Sequence, residues 1–150
     1  MNRREMLETL VEELRLIDGG TSVLDHRYRF ELDCHENVYP QFRFLDEIND
    51  FPTICLAVIE ETIAHIGGDV RYKTALISLR GYVHEAIGEY EDSNWWAEAL
   101  LDDIEHVLQH IRERNRCFID VRIYELSTDE GIMSPYGVAD MIFTVTYEAE

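Results

Sequence analysis

Between residue 93 or 94 and about residue 112, Trp96, Leu100, Ile104, Val107, Leu108 and Ile111 recur at helical spacing, with Glu98, Asp102, Asp103, Glu105 and Gln109 off the stripe. That spacing predicts a helix with one apolar stripe. A second stripe, Leu7, Leu10, Val11, Leu14 and Ile17, predicts a helix over residues 4–17, stopped by Asp18-Gly19-Gly20. Each stripe must be buried against another element, and this constrains the fold more than any other feature of the chain.

The partner is legible as alternation. In residues 24–33, Leu24, Tyr28, Phe30 and Leu32 take even positions while Asp25, Arg27, Arg29, Glu31 and Asp33 take odd ones, the period of a half-wet strand. Residues 35–50 carry Tyr39, Phe42 and Phe44 around Pro40, which points to an edge strand or a mobile arm. Residues 53–59 read as a buried strand that continues through Thr62 and Ile66 to a Gly67-Gly68 hairpin. A long strand over 70–84 follows, with Tyr72, Thr74, Leu76 and Ser78 on one face and Ala75, Ile77, Leu79, Gly81 and Val83 on the other. After an acidic loop over 85–92 and the second helix come strands over 118–126 and 138–147, joined through Thr128-Asp129-Glu130-Gly131 and Pro135-Tyr136-Gly137. The sum is α+β: a two-layer sandwich whose mixed or antiparallel sheet of about five strands has two helices packed on one face. At 150 residues, with 46% hydrophobic, a single domain over 1–150 has enough apolar material for its core.

Charge narrows the function. Thirteen basic residues against 31 acidic ones give −18, and a surface so negative repels phosphate, which argues against sequence-reading DNA binding. It suits solubility, a negatively lined passage through which DNA must slip, or an acidic decoy that mimics DNA to inhibit a DNA-binding enzyme. The longest apolar run, residues 54–59, is too short to cross a bilayer, so no membrane partner is expected. Cys34, Cys55 and Cys117 are odd in number and widely spaced, which signals neither a disulfide framework nor a zinc site; Cys55 and Cys117 lie in apolar strand-like runs.

Catalytic signals are weak. His106 and His110, four apart beside Asp102, Asp103 and Glu105, could face a metal as in a small hydrolase, but spacing indicates no third ligand. The pairs Glu60-Glu61, Asp102-Asp103 and Asp129-Glu130 are adjacent carboxylates that point apart on a strand or helix. Gly19-Gly20 follows a helix where a phosphate loop would precede one, and no serine sits in a nucleophile elbow. No catalytic residue, cofactor or metal is expected. Of Trp95-Trp96 only one ring can lie at the stripe's centre, so Trp96 goes to the core and Trp95 to boundary packing or an interface.

The order of these segments resembles the tail-terminator, or tail-completion, family of long-tailed bacteriophages. The residues that carry the likeness are Ile17-Asp18-Gly19, Phe51-Pro52-Thr53-Ile54, Arg80-Gly81-Tyr82-Val83, residues 97–104 of the second helix, Thr128-Asp129-Glu130-Gly131, Pro135-Tyr136-Gly137 and Val145-Thr146-Tyr147. The resemblance implies a structural, non-enzymatic virion protein. Its copies would form a six-membered ring on the head-proximal end of the tail tube, stop tube growth and meet the head-completion or neck proteins. A tail sheath is a further partner, and a sheath-stabilising or neck position is an alternative. Candidate interface residues are Trp95, Tyr136, Tyr39, Phe42 and Tyr147, with the final strand as an edge open to a neighbouring copy. Asp46, Glu47, Asp50, Glu85, Glu89, Glu91 and Asp92 are candidates to face the lumen and repel passing DNA.

Overall fold

Asn2 starts the first helix, α1 (Arg3–Leu14), through a reciprocal cap: its side chain accepts from the Glu5 N–H at 2.9 Å, and the Glu5 carboxylate accepts from the Asn2 N–H at 3.2 Å. The computed structural model describes residues 1–17, 28, 30, 37–88 and 91–149. The Asp18-Gly19-Gly20 stop, Cys34, Glu89 and all of the expected 24–33 strand except Tyr28 and Phe30 lie outside the described residues. The helix ends at Leu14, short of the expected Ile17, yet Ile17 is still buried.

A two-residue strand, β1 (Val38–Tyr39), stops at Pro40 and pairs parallel with β2 (Thr53–His65), which fulfils the edge-strand reading of the aromatic arm. The turn through Gly67 and Gly68, both at positive φ, returns the chain into β3 (Arg71–His84). Asp92 then caps α2 (Ser93–Arg114), its carboxylate accepting from the Trp95 N–H at 2.8 Å, and Arg112 and Arg114 occupy the last turn. Two further strands, β4 (Phe118–Thr128) and β5 (Tyr136–Ala149), complete a five-stranded mixed sheet in the order β1-β2-β3-β5-β4.

That order corrects the expectation for the final strand. β5 lies between β3 and β4, hydrogen-bonded on both sides, so the open edge is β4. β2 is open on its outer side beyond Cys55 among the described residues, because β1 pairs with Ile54 and Cys55 alone.

Both helices cover one face of the sheet. Leu10 and Leu14 of α1, with Leu100, Ile104 and Ile111 of α2, pack on Ile77 and Leu79 of β3 and Phe143 and Val145 of β5 in one continuous core. Two glycines set the approach of α2: a Cβ on Gly81 would meet Leu100 Cδ2 at 2.6 Å, and one on Gly137 would meet the Ser93 carbonyl oxygen at 2.5 Å. Asp103, expected on the wet side of α2, is buried, because 103 falls three residues after Leu100 and four before Val107, on the stripe itself.

The second face is not bare. Cys55, Tyr82 and Val138 form a small cluster there, against which Tyr39, Leu45, Ile48 and Phe51 of the 39–51 segment pack. Burial pushes the Cys55 thiol up, in keeping with a buried hydrophobe, whereas Cys117 is exposed just before β4.

Candidate functional site

The antiparallel pairings give the sheet two unlike ends. One holds the Gly67-Gly68 hairpin. The other gathers the start of β2, the ends of β3 and β4, the start of β5 and the N-terminus of α2, since His84 pairs with Tyr136, Thr128 pairs with Ala139, and the Thr128 hydroxyl donates to Asn94 Oδ1 at 2.7 Å.

Most of the expected site residues share this second end. Tyr136 joins His84 and Phe51 in an aromatic group with centroids 4.9 Å and 5.6 Å from its own. Tyr39 lies under the Arg43 guanidinium, 4.2 Å from the ring centroid, and Phe42 is half exposed. Trp95 stands edge-on to Trp96 at 4.9 Å with 38% of its surface exposed. Trp96 itself is half-buried against Phe30, so the stripe assigns the two rings in the expected order.

The acids divide by task. Asp46 is exposed. Three others already hold local structure: Glu47 accepts from the Phe44 N–H at 3.0 Å, Asp50 from the Phe51 N–H at 3.1 Å, and Asp92 caps α2. Glu85 accepts from the Ser134 hydroxyl at 3.4 Å, and Glu91 lies partly exposed. Glu89 lies outside the described residues.

Tyr147 is a correction. Its side chain is wholly buried on the helix side of β5 and is not available to a neighbour; its hydroxyl donates to Glu61 Oε2 at 3.0 Å. Glu61, whose side chain is 5% exposed, also binds Arg3 and lies 3.9 Å from Lys73 Nζ, so one carboxylate ties α1, β2, β3 and β5 together. Sequence reasoning placed Glu61 among adjacent acids and missed this, because plain alternation from Ile54, Leu56 and Val58 puts Glu60 on the covered face; the irregularity at Ile59 shifts the phase and sets Glu61 there instead, opposite Ala75. Burial foremost, then the hydrogen bond to Glu61, pushes the Tyr147 phenol up to about 12.

The turn after β4 was expected, but the exposed apolar pair it carries was missed in the sequence. The Asp129 carboxylate accepts from the N–H groups of Gly131, Met133 and Val138 at 3.4, 2.9 and 3.3 Å, and holds Ile132 86% exposed and Met133 43% exposed.

The His106 and His110 rings lie 4.7 Å apart, tilted by 51°, with His106 edge-on to Tyr28 and His110 3.4 Å from Glu113. Among the described residues no three His, Cys, Asp or Glu side chains gather as a metal site, and no helix is long and apolar enough to cross a membrane. The geometry is that of contact surfaces: exposed aromatic and aliphatic groups at one end, and two open edges.

The model of one protein family, the bacteriophage tail tube terminator protein, matches residues 2–150. A comparison with curated proteins gives no match. With this match across its length, on an α+β sandwich of the expected kind, the chain belongs to the bacteriophage tail tube terminator proteins, structural components of the virion tail that associate with the tail tube.

Proposed function

We propose that copies of the chain join head to tail into a closed ring, six-membered by the family resemblance, which seats on the head-proximal end of the tail tube, ends its growth and offers its other side to the neck. The observation that carries this is the pair of open edges on opposite sides of the sheet. A patch on one side that meets a different patch on the other repeats around an axis, and closes when the rotation allows. β2 and β4 also run in opposite directions, so copies of like orientation bring an antiparallel pair of edges together.

The acidic balance fits the passage of DNA. Asp46, Glu47, Asp50, Glu85, Glu91 and Asp92 lie toward one end of the sheet, and their charge on the rim or wall of the lumen repels the phosphate backbone. Trp95, Tyr136, Tyr39 and Phe42 at the same end are the proposed contacts with a neighbouring copy, the tube or the neck.

Native mass measurement and negative-stain imaging of the purified protein, alone and with tail tubes, test the reading. An annulus on one tip of the tube is the expected result. A protein that stays a single subunit and ignores tube ends overturns it. Replacing Asp46 and Glu91 together with Lys is expected to leave ring assembly intact and to lower infectivity; unchanged infectivity removes the lumenal role of these acids.

A further inference from the structure

Among the described residues, the three irregularities in the sheet's ladders lie in strands with an open edge, and each extrudes a large apolar residue. Val58 pairs with Ile77 and Glu60 with Leu76, leaving Ile59 as the extra residue in β2. In β4 the extra residues are Ile119, between Phe118 and Asp120, and Tyr124, between Ile123 and Glu125. Ile59, Ile119 and Tyr124 are 54%, 38% and 60% exposed. Edge bulges ordinarily interrupt pairing with another chain, and edges are commonly guarded further by lysine or proline. Here the bulges bend the strands but present Ile, Ile and Tyr, which are contact residues and not guards.

The registers place these residues in matched pairs. Val58, Ile77, Phe143 and Ile123 form one row across the sheet, and the β2 bulge at Ile59 and the β4 bulge at Tyr124 both adjoin it. A second row runs Ile63, Lys73, Tyr147, Phe118; exposed Ile63 stands at one end, and the Ile119 bulge adjoins the other. Each apolar group on one edge therefore has a counterpart within about one residue step of its own height on the opposite edge, as copies related by rotation with little rise require. Tyr124 also lines a groove of about 460 Å³ between α2 and β4, with Leu108, Val121, Ile123 and Leu126.

Charge selects the occupant. Copies carrying −18 each repel except where charge is locally balanced. On β2 the buried Glu61 is met by Arg3 and Lys73, and on β4 Asp120 by Arg122 at 2.6 Å and by Arg112 at 3.9 Å, so the balance lies beside Ile63 and Ile119; exposed Glu60 and Glu125, beside Ile59 and Tyr124, have no ion pair among the described residues. We propose that the partner of these edges is a second copy of the chain, with Ile59 seated against Tyr124 at the groove and Ile63 against Ile119. This rests on the ring reading and specifies its subunit contact.

In a Cys34→Ser, Cys117→Ser background, Ile59→Cys and Tyr124→Cys are introduced singly and together, and the proteins are mildly oxidised and separated without reductant. The double variant is expected to give a covalent ladder that ends at the ring's copy number, each single variant only monomer, and an equimolar mixture of the singles only dimer. Covalent dimers from either single variant alone indicate a two-fold contact and overturn the proposal. So does the lack of a ladder where the unsubstituted protein forms rings by native mass, an outcome that leaves the ring reading standing. Unsubstituted protein that is monomeric even on tail tubes overturns both. As an independent measurement, Ile59→Lys and Tyr124→Lys are each expected to abolish rings with unchanged circular dichroism; rings retained in both overturn the contact.

Discussion

Tyr147 and Glu61 show how one residue's surroundings decide its part. The phenol is held neutral at the helix side of β5, and its hydrogen bond to a carboxylate is of the stronger kind. Tyr147→Phe is expected to cost about 1.5–3 kcal/mol in urea unfolding, the range for hydrogen bonds to charged groups. The pH dependence has a definite sign. The folded-state pKa lies at about 12, above the ordinary 10.0, so the stabilisation is complete below about pH 10 and disappears as the pH rises from about 10 to about 12. The difference in unfolding midpoint between wild type and Tyr147→Phe should shrink over that interval; a constant difference contradicts the assignment. In the sequence this residue looked like an exposed aromatic at the end of the last strand. Alternation in fact puts it on the odd-numbered face with Phe143 and Val145, which the helices cover; what alternation could not show is that β5 is central and not an edge.

Among the elements, α2 was the most legible, and its one misreading is informative. Leu100, Ile104, Val107 and Ile111 are buried as their spacing requires, but Asp103 was turned outward for its charge although its position lies on the stripe. The Gly67-Gly68 hairpin and the alternation of β3 were equally plain, because positive φ and a period of two are local properties. The bulges at Ile59, Ile119 and Tyr124 were invisible, since each is defined by the strand opposite. So was the Glu61 tie, which joins residues more than fifty positions apart. The seat of α2 can be tested at its start. Asp92→Ala removes the bond to the Trp95 N–H and is expected to cost about 1 kcal/mol. Gly137→Ala drives a methyl into the Ser93 carbonyl and Val83 Cγ2, and is expected to cost about 1–3 kcal/mol by urea titration. If Gly137→Ala is neutral, β5 and α2 are not as closely apposed as described.

For the whole molecule, the net charge of −18 sets the conditions under which copies meet. Salt screens repulsion between like-charged subunits more than it weakens contacts made by apolar side chains. Raising ionic strength from about 0.05 M to about 0.5 M is therefore expected to shift the proposed assembly to lower protein concentration in sedimentation; a shift the other way would assign the contact to ion pairs. The two ends of the sheet differ in kind. Three amide protons converge on the Asp129 carboxylate, so the turn that carries Ile132 is already set before anything touches it. An attached assembly would meet a stiff peg and not a slack strand, and little freedom would remain to be lost on docking. Slow amide exchange at Gly131, Met133 and Val138 in the isolated subunit would register that readiness.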